Sequence, residues 1–404
     1  MNRMLLTLAI LPAAAAAERP ELIGVADFSG TASDLSTLSD TLRNGEPHNR
    51  LGGFSALEYT GSGDLYVALP DRGPDDGETG YLCRTQTLEV RVDPAATPAV
   101  TARVVETTIL RDELGRPFSG DARRMTEDNE TGVRFDPEGL RFADDGSFWV
   151  SEEYGPQVVH FTSAGKAVER LDVPDYFRVT SPADSKKAEN AANVRGRASN
   201  KGMEGLAISP DGRTLTGIMQ HVLLQDGDRV GGGKPKGRNV RIVQFDLESG
   251  DVREFVYVLE DGSLGISEIL SLDANRFLVL ERDGEPGEAA GVKGLAEIDL
   301  SDATDVHGVE SLPHGELPAS IVPARKRPYL DMLDAAYGLA GAAMPEKIEG
   351  LTFGPTLADG RRTLLLSSDN DFEADAPSRI FVFAVDAPSD DTVRVESLRP
   401  VSQR

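Results

Sequence analysis

The 404-residue sequence contains one cysteine, Cys83, so no internal disulfide can form. A buried core must hold the fold instead, and a chain of this length can supply one. Histidine is also scarce. His48, His160, His221, His307 and His314 lie far apart and Cys83 has no partner, which makes zinc a poor candidate. Positive charge is in deficit: 42 Lys and Arg against 67 Asp and Glu give a net charge of -25. With a sequence pI near 4.6, the chain would repel a phosphate backbone, which argues against nucleic acid as a partner. Helical periodicity is nearly absent, except around Tyr329 to Tyr337. No Pro/Ser linker or low-complexity tract divides the chain. Familiar catalytic loops are missing too. Gly53-Phe54-Ser55-Ala56 lacks the second glycine of a nucleophile elbow, and Gly231-Gly232-Gly233-Lys234 continues into Pro235 instead of a P-loop Ser/Thr. The basic run Arg325-Lys326-Arg327 reads as a solvated loop.

The N-terminus has a basic start, Met1-Asn2-Arg3, then an apolar run from Met4 to Leu11 and an alanine tract from Ala13 to Ala17. This pattern predicts a signal peptide over 1–17, cut before Glu18, and a periplasmic or secreted product. The apolar run is too short to span a bilayer, so no membrane span is expected. The remainder, 18–404, reads as one domain, expected to act as a monomer.

Five segments share one grammar: a strand, a tight turn, a second strand, then a polar residue. They start at Ser55-Ala56-Leu57, Glu138-Gly139-Leu140, Glu204-Gly205-Leu206, Glu268-Ile269-Leu270 and Glu349-Gly350-Leu351. Turn residues such as Asp144-Asp145-Gly146 and Pro210-Asp211-Gly212 accept hairpin geometry, and second strands such as Phe148-Trp149-Val150 suit burial on both faces. Third strands are expected at 157–162, 240–246, 294–299 and 379–385. Units of this kind must stack on one another, so the fold class is all-β, a single β-propeller. Two of the gaps between repeats could each hold another blade, so six blades are expected, with five and seven as alternatives. The early strand 21–28 and the late strands 380–385 and 392–398 are the candidates to close the ring.

Position gives the acidic excess a meaning. Glu138, Glu204, Glu268 and Glu349 start the first strands, while Asp71, Glu152, Glu281, Asp369 and Asp371 follow the second strands. In a hairpin those ends lie side by side, so both sets should crowd one mouth of the central channel. Crowded carboxylates repel unless a cation neutralises them, and hard divalent ions, Ca²⁺ above all, suit such a ring. The expected metal ligands are Asp71, Glu138, Glu152, Glu204, Glu268, Glu281, Glu349 and Asp369. Arg72, Lys201 and Arg282 lie beside them in sequence. Metal ligands interleaved with cations suit a phosphate group, so these three with Glu138 and Glu204 are the expected catalytic set.

The runs Asp71-Arg72-Gly73-Pro74, Asp136-Pro137-Glu138-Gly139-Leu140, Ser151-Glu152-Glu153-Tyr154-Gly155-Pro156, Asn200-Lys201-Gly202-Met203-Glu204-Gly205-Leu206 and Ile348-Glu349-Gly350-Leu351 resemble the phytase-like esterase family. The resemblance spans roughly residues 40 to 385. It implies a secreted propeller phosphoesterase acting on a small-molecule phosphoester or ester. Ser55-Ala56 departs from the Glu-Gly pattern, so the first repeat supplies no carboxylate at its strand start. Two other readings stand beside a Ca²⁺-dependent phosphoester hydrolase: a Ca²⁺-dependent lactonase or carboxylic esterase, and a non-catalytic binding propeller.

Overall fold

Apolar alternation and tight turns leave each strand pair with faces it cannot bury alone. A computed structural model, which describes residues 19–121, 134–183, 185–229 and 231–386, shows how the chain resolves this. It has one N-terminal strand, β1 (Glu21–Phe28), and then four four-stranded antiparallel blades in sequence. Blade 1 comprises β2 (Phe54–Tyr59), β3 (Leu65–Pro70), β4 (Arg84–Val92) and β5 (Val100–Ile109). Blade 2 comprises β6 (Pro137–Phe142), β7 (Phe148–Glu152), β8 (Gln157–Phe161) and β9 (Ala167–Asp172). Blade 3 is β10 (Met203–Ile208), β11 (Thr214–Met219), β12 (Asn239–Asp246) and β13 (Val252–Val258). Blade 4 is β14 (Gly265–Ser271), β15 (Arg276–Arg282), β16 (Lys293–Asp299) and β17 (Arg325–Asp331). Blade 5 joins the two ends of the chain: β18 (Lys347–Thr356), β19 (Arg362–Asp369) and β20 (Ser378–Val385) pair in order, and β1 adds to β20 as the outer strand.

The propeller therefore has five blades, the lower alternative to the six expected. The wide gaps hold outer strands rather than another blade, since β5 and β17 complete blades 1 and 4. Ring closure by β1 against β20 agrees with expectation; 392–398 lies outside the described residues, as does the proposed signal segment. Two local readings are corrected. The only α-helix among the described residues is α1 (Lys186–Ala192), capped by Ser185, whose hydroxyl accepts the Ala188 N–H at 3.2 Å. Around Tyr329 to Tyr337 the chain instead forms the end of β17 and turns. Arg325-Lys326-Arg327 is likewise not a loop but the start of edge strand β17. There Arg327 reaches Glu297 at 2.6 Å and Lys326 reaches Glu281 at 2.7 Å. Basic side chains on such an edge discourage pairing with other chains.

The inner strands β2, β6, β10, β14 and β18 pack against one another around the axis. Apolar layers between neighbouring blades form the core, for example Leu206, Ile218, Ile242 and Ile269 between blades 3 and 4. Among the described residues no helix is long and apolar enough to cross a membrane.

Candidate functional site

The first two strands of every blade carry an irregularity at the same place. Pairing skips between Phe54 and Ala56, Pro137 and Leu140, Met203 and Gly205, Ile266 and Glu268, and Ile348 and Leu351. Each blade thus has one extra residue: Ser55, Glu138, Glu204, Ser267 and Glu349. A bulge takes its residue out of the ladder and re-aims the side chain, here toward the channel mouth. The glycine after it has its own reason. A Cβ on Gly205 would lie 2.7 Å from the Ile269 nitrogen, and one on Gly350 would lie 2.6 Å from the Leu57 nitrogen. The recurrent Glu-Gly therefore combines a bulge with a close approach to the next blade.

This geometry corrects the expected registers by one residue. Ser267, not Glu268, is the blade 4 equivalent of Glu138, Glu204 and Glu349, and Glu268 occupies the glycine position. At the strand ends, the partners of the residues preceding the bulges are Pro70, Glu152, Met219, Glu281 and Ser368. One step later come Asp71, Glu153, Gln220, Arg282 and Asp369, which form the second ring.

Two triads of buried carboxylates result. Asp71, Asp136 and Glu138 offer oxygens within 4.8 Å of one another, and so do Glu138, Glu153 and Glu204. Arg72 braces both groups. Its guanidinium donates to Asp136 at 2.6 Å and Glu153 at 3.4 Å, while its backbone N–H donates to Asp136 at 3.0 Å. A further bond, 2.7 Å to Asp76, links Arg72 to a carboxylate that also receives Lys186 of α1 at 2.8 Å. All the terminal nitrogens of Arg72 are thus occupied by carboxylates. Glu138 has no hydrogen-bond or ion-pair partner among the described residues. Glu204 takes one bond, from the Gln220 amide, and its Oε2 is buried with no partner.

Electrostatics follow from this crowding. Burial, then Glu204, holds the Glu138 carboxyl well above the usual range; burial, then Glu153, does the same for Glu204. Burial and Asp369 raise Asp71, and burial pushes Asp136 up to about 6. Cations also line the mouth. Arg282 donates to Glu349 at 2.7 Å and Ser267 at 2.9 Å. Lys347 pairs with Asp369 at 2.9 Å and also with Asp371. Among the described residues Lys201 bonds only the neutral Gln220 side chain, and burial lowers its ammonium to about 8.

The remaining expected residues lie apart from the two triads. Glu152 accepts the N–H groups of Asp136, Tyr154 and Gly155 at 3.1, 3.0 and 2.7 Å, a clamp on the turn after β7. Glu281 meets Lys326 on the other face of its strand. Glu268 accepts the Leu206 and Ile269 amides, both at 2.9 Å, and lies 3.1 Å from Arg141. Arg141 crosses the axis below the glutamates, donating to the carbonyls of Leu140, Ile269 and Leu351 at 2.7, 2.9 and 3.2 Å and to Glu58 at 3.3 Å. It plugs the channel and forms the floor of the site. His221, beside Gln220, faces the Gly262 carbonyl at 3.0 Å, and burial lowers it to about 4.

Asp136 and Glu153 are the members that strand counting missed. Both stand in the recurrent runs, Asp136 before Pro137-Glu138 and Glu153 in the Glu152-Glu153 pair. Counting the bulge as an extra residue selects Glu153 over Glu152.

An uncharacterized secreted protein of Arthroderma benhamiae is 28% identical over 320 residues, 63% of this chain. The match spans 62% of that relative's length. Among solved structures, the Cps50 (Swd1) β-propeller domain of Myceliophteria thermophila aligns with 83% of this chain and 97% of its own, at 12% identity and TM-score 0.36. An ancestral GH74 enzyme aligns with 78% of this chain and 33% of its own, at 12% identity and TM-score 0.35. These structural likenesses are too distant to inform the site. The family model described as esterase-like activity of phytase matches residues 49–372, most of the propeller, and the chain belongs to this Phytase-like family.

Proposed function

We propose that the protein is a secreted, Ca²⁺-dependent phosphoester hydrolase that works at the bulge-lined mouth. The observation that carries this reading is the pair of buried carboxylates, Glu138 and Glu204, which form no ion pair among the described residues, with Lys201 and Arg282 nearby. Asp71, Asp136, Glu138, Glu153 and Glu204 fit a hard cation by chemistry, since all are oxygen donors and no histidine or thiol joins them. A bound Ca²⁺ would polarise a phosphoryl oxygen and acidify a water. The chain's own residues do the rest. Arg72 fixes Asp136 and Glu153 in place. Lys201, still largely protonated at neutral pH, and Arg282 bind the remaining phosphate oxygens. The Arg141 floor keeps bulk water from entering along the channel. The leader before Glu18 and the secreted relative support export, which N-terminal sequencing of the mature protein would check.

One observation favours a second reading, carboxylic ester or lactone hydrolysis. Both terminal nitrogens of Arg72 are engaged by carboxylates, so fewer cations are free for a phosphate than the sequence suggests. Purified protein should be assayed on p-nitrophenyl phosphate, phytate and p-nitrophenyl acetate, with EDTA and with Ca²⁺. Phosphoester turnover that needs Ca²⁺ and falls about 10- to 100-fold in kcat/KM for Arg282→Ala is expected, with ester turnover changing less than about threefold. Ca²⁺-dependent turnover of the ester alone would select the second reading. No turnover in any arm would leave a binding propeller.

A further inference from the structure

We propose that the mouth holds two divalent cations side by side, with Glu138 common to both: one ion among Asp71, Asp136 and Glu138, the other among Glu138, Glu153 and Glu204. The inference rests on the cation-site reading above and deepens it.

The argument begins with distance. Oxygen ligands of one Ca²⁺ lie about 2.4 Å from the ion, so two ligands of the same ion are separated by no more than about 4.8 Å. The five carboxylates satisfy that limit as two triads and not as one group of five, with Glu138 the single shared member. One ion can therefore collect three of them, and the outer ligands of the second triad stay beyond its reach.

Charge gives the same count. Five carboxylates against Arg72, which braces them, and Lys201 beside Glu153 and Glu204 leave a formal charge of -3, an excess that one divalent ion does not neutralise and a second does. Arg282 is matched by Glu349, and Lys347 by Asp369, so neither offsets this excess directly. The unpartnered atoms sit where two ions would need them. Glu138, the shared ligand, has no partner among the described residues, and Glu204 Oε2 in the second triad is buried without one. Among the described residues Glu138 bonds to none of its surroundings, and Glu204 only through Oε1, to the Gln220 amide.

Arg72 fits the same scheme as a positioning residue. It bonds one carboxylate from each triad, Asp136 and Glu153, and so fixes the spacing of the outer ligands while leaving Glu138 free between them. Three carboxylates per ion fall short of the six to eight oxygens Ca²⁺ takes, which leaves positions for water and for substrate oxygens.

The test uses the full-length mature protein, stripped with EDTA and titrated with Ca²⁺ alone by equilibrium dialysis and calorimetry. Relative to wild type, Asp71→Asn and Glu204→Gln should each lose one bound ion, and Glu138→Gln should lose two. If Glu138→Gln loses one ion or none, or if Asp71→Asn/Glu204→Gln loses no more than either single variant, the shared two-ion site is wrong. Electron paramagnetic resonance of the wild type loaded with Mn²⁺ needs no variant: an exchange-coupled pair is expected, and only isolated six-line spectra would overturn the proposal. Failure of the functional reading looks different, since ions would bind as stated while no phosphoester turned over. Absence of any Ca²⁺ or Mn²⁺ binding to wild type would remove both.

Discussion

Replacing Glu204 by glutamine should make the metal-free protein more stable. Glu138 and Glu204 offer oxygens no more than 4.8 Å apart. Two unit charges at that separation, in an effective dielectric of about 20, repel by roughly 3.5 kcal/mol. Protonating one carboxyl relieves the repulsion, but at pH 7 that costs about 3.7 kcal/mol, 1.36 kcal/mol per pH unit above an ordinary glutamate's value of about 4.3. The metal-free chain bears one cost or the other, reduced by Lys201 and Arg282 nearby. Glu204→Gln is therefore expected to gain about 2–3 kcal/mol at pH 7 in EDTA. Both carboxyls are raised above their unfolded-state values by burial and then by neighbouring carboxylates, so the folded chain binds the extra protons. This contribution is fully favourable below about pH 4.3 and is lost as pH rises, so the gain should shrink to about 1 kcal/mol at pH 5. Ca²⁺ at about 1,000 Kd should reverse the order, since the ion that only the wild type binds then adds about 4.1 kcal/mol. Urea unfolding followed through the single tryptophan, Trp149 on β7, reads all three conditions. A variant less stable than wild type in EDTA at pH 7, or a gain that does not shrink at pH 5, would refute the reasoning.

Arg141→Met should cost about 3–5 kcal/mol, because Glu268 is left buried against the axis, and Arg141→Met/Glu268→Leu should recover most of that loss in urea midpoints. The imidazole of His221, lowered by burial to about 4 against an ordinary 6.5, contributes stability that is complete above pH 6.5 and is lost as pH falls toward 4. Wild type should lose about 3 kcal/mol more than His221→Gln across that window, measured by unfolding at half-unit steps; parallel curves would count against it. Gly205→Ala should cost about 1–3 kcal/mol, since its Cβ meets backbone atoms at 2.7 and 2.8 Å in the next blade, and an unchanged midpoint would show that the blades can separate there.

The repeat and the propeller were legible because strand alternation, turn residues and Glu-Gly recurrence all have a fixed period. Glu138 and Glu204 could be placed for the same reason. The bulge could not be read directly, because an extra residue leaves the apolar pattern of a short strand almost unchanged. It moved the second ring by one position, from Glu152 and Glu281 to Glu153 and Arg282, and replaced Glu268 with Ser267. The partners of Arg72 were hidden for another reason. Asp136 and Glu153 are 64 and 81 residues away, and only stacking of blade 2 on blade 1 brings them to it. Blade number depended on where β5 and β17 pair, since an outer edge strand carries little periodic signal.

The central claim is that the crowded carboxylates around Glu138 at the mouth are there to hold a hard divalent cation. Anomalous difference density from crystals grown with Mn²⁺ tests it most directly. The account predicts a strong peak within bonding distance of Glu138. A clean map with no peak at the mouth, or peaks only at surface carboxylates, would contradict it.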